Sequence, residues 1–332
     1  MKKHLLRMLA MILLGTLLVS SASAATFDKA TLRFGSTSAE NTVVVATMKL
    51  FAEKVAAATS NQVTVQIFPA SQLGNVKEMA QSAQMGALDM CMTQPANLAD
   101  MGVKEMSVLV LPYIFKSFEQ RYQVLTGDVG KELLNKVTDG GISLMGFGYF
   151  PDGARNFFTI KDKPIRTVED VKGLKLRVQS YDLDNDMAIA LGASPTPTAS
   201  SEMYSAIQSG IVDGAEQPIA AYYGNKFYEV SSYLTLDEHT YNTLVVLFSQ
   251  LSWNKLSPEL QEVLSKSWTE AVDEMKNTIL STEEDYKQKI VEAGVEIIEI
   301  TDREKWVDAM KPVFEKHGAG LETWIEKINA VE

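Results

Sequence analysis

Two arginines carry the clearest chemistry in this sequence. Arg155 follows the turn-forming stretch Pro151-Asp152-Gly153-Ala154, and Arg177 sits between Leu176 and Val178 in a run, Leu174 to Val178, that reads as a strand with its leucines and valine on the opposite face. A guanidinium on a central strand is costly to bury unless an anion meets it, and its planar fork matches a carboxylate through two parallel hydrogen bonds. An ion pair with one of the many internal acids satisfies the same group, so the residues alone leave both partners open.

The other candidates point to structure. His239 is the one histidine well inside the chain's α/β body, and it lacks a recognisable nucleophile or acid/base partner; a satisfied histidine at a strand end is the simpler reading, with an exported enzyme using it as base the alternative. Cys91, the only cysteine, lies in an apolar strand and reads as an inert buried thiol. Asp182, Asp184 and Asp186 lack the glycine and distal glutamate of a calcium loop, and acids at a helix N-terminus explain them. Gly146-Phe147-Gly148 begins like a dinucleotide loop, but Pro151 replaces the third glycine. No catalytic residue, metal site or cofactor is expected.

The elements that must hold these residues alternate between strand and helix. Thr31 to Phe34 reads as a strand, Val44, Met48, Phe51 and Val55 share a helical face, and Val63, Val65 and Ile67 alternate, which makes a βαβ unit with a parallel pair. A second unit has a helix opening near Gly74-Asn75 and a strand at Leu88 to Met92. Gly140 to Phe147 leads into a turn at Pro151-Asp152-Gly153, the first expected crossing between domains. Beyond it come helices at Asp182 to Leu191 and Glu202 to Ser209, then a strand-like run from His239 to Ser249. Pro258 to Ala293 has no glycine or further proline and keeps helical apolar spacing; at ~1.5 Å per residue it would reach ~50 Å and brace two domains.

Composition bounds the class. The 332 residues suffice for about two domains, and a net charge of −11 disfavours nucleic acid or an anionic membrane surface as partner. Lys2, Lys3 and Arg7 precede an apolar run, Met8 to Val19, and Ala22-Ser23-Ala24 matches a leader cleavage site. The run is shorter than the ~20 residues a spanning helix needs, so an exported chain beginning at Ala25, most simply periplasmic, is expected. Removing those three cations takes the net charge from −11 to −14.

Six segments then fall in a recognisable order. Phe68-Pro-Ala-Ser-Gln-Leu-Gly74, Gly153-Ala-Arg155-Asn-Phe-Phe-Thr159, Val171-Lys-Gly-Leu-Lys-Leu-Arg177-Val178, Gly192-Ala-Ser-Pro-Thr-Pro197, Val212-Asp-Gly-Ala-Glu-Gln-Pro218 and Lys226-Phe-Tyr-Glu-Val230 span most of the mature chain. The chain resembles the DctP-type solute-binding proteins of tripartite ATP-independent periplasmic (TRAP) transporters. The resemblance implies an α/β, two-domain periplasmic binding protein fold with crossing strands, a long bracing helix and a ligand cleft between domains. The expected division is 1–24 as signal peptide, 25–152 plus 241–280 as domain I, and 153–240 plus 281–332 as domain II. It implies a monomer that captures a small organic anion and delivers it to TRAP permease subunits driven by an ion gradient; a ligand-sensing partner of a signalling receptor would share the same cleft.

By position, the resemblance makes Arg177 the partner of the ligand carboxylate and Arg155 the second basic contact. Gln94 falls where relatives present a polar or acidic cleft residue. Gln217 stands where many have the asparagine of a D-G-x-E-N-P motif, and it keeps the amide with one more methylene. Ser200 stands where many carry a pocket phenylalanine, which would leave a wall missing. Tyr241 and Asn242, on the strand returning to the first domain, would complete the cleft. The carboxylate itself, whether C4-dicarboxylate, sugar acid, keto acid or aromatic acid, is not specified by these residues.

Overall fold

The computed structural model describes residues 27–179 and 181–331. The expected leader and its cleavage site at Ala24 lie outside the described residues, as does the side chain of Ser200.

Strands β1 (Ala30–Gly35), β2 (Val63–Phe68) and β3 (Met90–Thr93) form a parallel group with β1 in the middle. Helix Val43–Ala58, capped by the Thr42 hydroxyl, buries Val44, Val45, Met48, Phe51 and Val55 against this group. Asn75 and Glu78 form a reciprocal capping box that starts helix Val76–Gln84, as the Gly74-Asn75 signal suggests. The second group is β5 (Lys175–Val178), β6 (Ser194–Pro197) and β7 (Gly214–Pro218), with β5 paired parallel to both neighbours.

Two long antiparallel strands, β4 (Leu144–Thr159) and β8 (Tyr233–Ser249), join the groups into one sheet of order β2-β1-β3-β8-β4-β7-β5-β6. The last strand, β9 (Glu296–Glu299), adds to the first residues of β8. At one end β8 pairs β3 through Val245 to Phe248, and at the other β4 pairs β7 through Arg155 to Thr159. Both strands therefore run from one lobe into the other. The sequence suggests that β4 ends in a turn at Pro151-Asp152-Gly153, but the strand continues through it as a bulge, with the β8 register slipping between Pro151 and Ala154. Local supports replace the lost ladder bonds: Asp152 Oδ1 accepts from Gly153 N at 2.9 Å, and Asn242 Nδ2 donates to Asp152 Oδ2 at 2.7 Å.

The long helix, Pro258–Glu292, begins at an Ser257 cap with proline in its first turn. Its Leu260, Leu264, Trp268, Ala271, Val272 and Ile279 enter the first lobe's core beside Phe34 and Phe51, whereas Ile290 joins Phe158, Tyr222 and Leu234 in the second. Gly148 lets the helix approach β4, because a Cβ there would lie 2.5 Å from the Trp268 ring. The Trp268 indole then donates to Tyr149 O at 3.2 Å. The C-terminus departs from the expected division. Trp324 and Ile328 pack with Leu133, Val137 and Leu144 of the first lobe, and Gln120 Nε2 donates to Val331 O at 2.9 Å. Residues 281–332 thus do not all belong with the second lobe, and the final helix, Glu322–Asn329, returns to the first.

Candidate functional site

The crossing strands leave a cleft between the lobes. An outer cavity of about 390 Å³ is bounded by Ser36 to Ser38, Asn75 to Lys77 and Thr93-Gln94 from the first lobe, and by Gln179 and Tyr181 from the second. Gln94, Gln179 and Tyr181 also wall an inner cavity of about 50 Å³, whose floor is Arg155, Asp184, Glu216, His239 and Asn242. The walls mix apolar side chains with convergent polar groups, as small-molecule sites do.

Arg155 is buried, and its fork is already occupied. Nε and Nη2 hold the two carboxylate oxygens of Glu216, the latter at 2.8 Å. The β4–β7 register explains the pair: Phe157 faces Glu216, so Arg155 projects from the same face two residues along. His239 extends the network. Its Nδ1 lies 2.7 Å from Asp237 Oδ2, its Nε2 lies 3.6 Å from Glu216 Oε2, and its ring stacks on Phe157 at 4.5 Å. Burial opposes the imidazolium, but Asp237 and Glu216 prevail and lift its pKa to about 9. Glu216 also resists burial: Arg155 and His239 hold its carboxyl well below the usual range.

Arg177 is buried, and no acid among the described residues pairs with it. Nε and Nη2 both donate to the carbonyl of Thr198, at 2.9 and 2.7 Å, and Nη1 is buried with no partner among the described residues. Burial lowers its pKa, with Glu216 and Asp184 acting against the shift and Arg155 with it. It is not among the residues that line the inner cavity. Gln217 is buried too, and its amide donates to the Met203 sulfur at 3.9 Å. Gln94 and Asn242 do meet in the cleft, with Gln94 Nε2 3.5 Å from Asn242 Oδ1. Tyr241 lines the inner cavity with its hydroxyl committed to Glu238 at 3.1 Å. Cys91 is fully buried and its pKa is pushed up to about 12, as an inert thiol requires.

Two buried residues carry no signal of their own in the sequence: Glu216 lies inside the Val212 to Pro218 segment, and Arg121 lies in no motif. Arg121 is fully buried; Nη2 donates to Asp152 O on β4, Nη1 reaches Asn242 O on β8 at 3.5 Å, and the Tyr241 ring lies 4.5 Å from the guanidinium. One cation therefore ties both crossing strands at the bulge. Glu283 of the long helix faces the same point, and its Oε1 is buried without a partner among the described residues, where a Cβ on Gly153 would lie 2.0 Å away.

Burial raises the Glu283 pKa to about 7, helped by Asp152, while Lys287 and Arg121 pull the other way. A carboxyl whose folded pKa is raised from 4.5 costs stability progressively as pH rises, fully above pH 7. Glu283→Gln is therefore expected to leave melting unchanged at pH 4.5 and to stabilise the protein at pH 8 by about 1–3 kcal/mol. Thermal melts of both proteins at the two pH values check this; equal melting at pH 8 would show that Glu283 carries no such cost.

Comparison with known proteins decides the family. Residues 34–320 match the model of bacterial extracellular solute-binding protein, family 7 (DctP). The chain belongs to that family. It is similar to the C4-dicarboxylate-binding periplasmic protein DctP of Rhodobacter capsulatus, 32% identical over 78% of this chain and 77% of that protein. A TRAP periplasmic solute-binding protein from Pseudomonas putida F1, solved with bound D-glucuronate, is 29% identical and superimposes with a TM-score of 0.84 over 91% of this chain and 98% of that one. One from Sulfurospirillum deleyianum, solved with succinate, gives a TM-score of 0.80 at 30% identity, covering 92% of this chain and all of that one. The family's periplasmic solute-binding fold is the fold described here: two α/β lobes, two crossing strands and a bracing helix around a cleft.

Proposed function

We propose that the protein captures a small organic acid in this cleft and hands it to TRAP permease subunits, working as a monomer in the periplasm after residues 1–24 are removed. One observation carries the reading: among the described residues, the buried cation Arg177 has an N–H end without a partner and no acid paired to it. A buried, unsatisfied charged donor is costly, and a ligand carboxylate would relieve it. Gln94, Asn242, Gln179 and Tyr181 offer neutral hydrogen bonds from both lobes, so a ligand touching both favours the closed arrangement by differential affinity. In this reading Arg155 acts through Glu216 as the floor of the site, and Gln217 supplies an amide beside Met203.

The moving bodies we propose are 25–152 with 241–280, and 153–240 with 281–320, the last helix travelling with the first body. His239 offers the enzyme alternative no clear base, because its ring lies between the carboxylates of Asp237 and Glu216, which favour its protonated form.

A thermal-shift screen against organic acids tests the function. A ligand at ~100 times its Kd adds ~2.7 kcal/mol of stability, so at least one carboxylate should raise the melting temperature by several degrees while the matching uncharged sugars do not. A complete library without effect would overturn the reading.

A further inference from the structure

Of the three aspartates at the start of helix Asp182–Ala190, one turns inward. Asp182 is exposed, and Asp186 pairs with Lys316 at 2.7 Å and His317 at 2.5 Å on the surface. Asp184 lines the inner cavity beside Arg155, Gln179, Tyr181 and Glu216, and its one side-chain partner among the described residues is Gln179 Nε2 at 3.1 Å.

The charges around this cavity are unevenly matched. Arg155 is neutralised by Glu216, and His239 by Asp237. Of the lining residues that leaves Asp184, a carboxylate with no cation paired to it among the described residues, while the buried cation Arg177 is not part of the lining. A ligand that the proposed function seats in this cavity lies beside Asp184, where a second carboxylate is repelled and a hydroxyl finds an acceptor. The remaining lining groups, Gln94, Gln179, Tyr181, Thr240, Asn242 and Thr243, are neutral hydrogen-bonders suited to hydroxyls. Lys77, the cation of the outer cavity, is exposed and lies at the mouth.

We infer that Asp184 is a specificity-determining residue that selects a polyhydroxy monocarboxylate over a dicarboxylate. The inference rests on the proposed solute-binding function and narrows its ligand class. Burial and the neighbouring Glu216 raise the Asp184 pKa to about 6, so near pH 7.5 the group is mostly ionised and the discrimination operates.

The test uses probes differing only at the far carbon: D-erythronate against meso-tartrate, and D-gluconate against D-glucarate, with D-glucuronate added. Titration calorimetry at pH 7.5 on the full mature chain should give the monocarboxylate of the better-bound pair an advantage on the order of tenfold, since a like charge in a site is strongly disfavoured. Asp184→Asn should shrink that advantage to within about threefold, chiefly by improving the dicarboxylate. Asp184→Ser, judged by its own melting curve, serves if the asparagine variant folds poorly. A wild-type protein that takes the dicarboxylates as tightly, or an unchanged ratio in a folded Asp184 variant, overturns the inference while the solute-binding function stands. If no organic acid of the wider screen binds the wild type, both fall together.

Discussion

Replacing Arg177 by lysine is expected to weaken the organic acid that the wild type binds by ~10–100-fold, because a hydrogen bond to a charged group contributes ~1.5–3 kcal/mol and each ~1.4 kcal/mol is a factor of ten. The geometry makes the substitution informative. Nε and Nη2 of Arg177 hold the Thr198 carbonyl, which fixes the plane of the guanidinium, and Nη1 is left without a partner among the described residues. A lysine ammonium keeps the charge but cannot hold Thr198 and present a second oriented donor at once. Arg177→Ala, which removes the charge as well, should be worse. Were Arg177 only a scaffold for the β5–β6 edge, both variants would melt at lower temperature and still bind normally once folded. Calorimetry on folded Arg177→Lys separates the cases, and wild-type affinity would remove Arg177 from the site.

How far such a site can be read from sequence depends on whether its determinants are local. The βαβ unit and the long helix declare themselves because their periodicity and caps are local: Asn75 with Glu78, Ser257 with Pro258, the apolar series from Leu260 to Met275. Arg177 was legible because a charge flanked by Leu176 and Val178 demands an explanation wherever the strand goes. The bulge at Pro151 to Gly153 was not, since proline and glycine read as a stop and the groups that carry β4 past them, Arg121 and Asn242, are distant in sequence. The docking of the last helix on the first lobe was hidden for the same reason: Trp324 and Ile328 show that a face is apolar, not which core receives it. The role of Arg155 depended on a register. Its placement two residues from the Glu216 position across β4 and β7 turns a foreseen ligand contact into an occupied ion pair.

That pair underlies the second large expectation. Glu216→Gln should destabilise the unliganded protein by ~3–5 kcal/mol at pH 6, because removing one partner leaves a buried charge uncompensated, here Arg155 with His239 beside it. The pH dependence has a definite sign at each end. Glu216, depressed from 4.5 to about 2, contributes stability present above pH 4.5 that is lost as pH falls toward 2. His239, raised from 6.5 to about 9, contributes stability present below pH 6.5 that is lost as pH rises through 9. The wild-type advantage over Glu216→Gln should therefore be widest between pH 4.5 and 6.5 and narrow on both sides. Chemical denaturation of both proteins across pH 3 to 9.5 measures it. A double variant, Arg155→Met with Glu216→Leu, should recover more than half of the loss, since a buried pair replaced by apolar groups of similar volume is often close to neutral. A single variant as stable as the wild type at pH 6 would mean that Glu216 is not what holds Arg155, and would return Arg155 to the ligand as a direct contact.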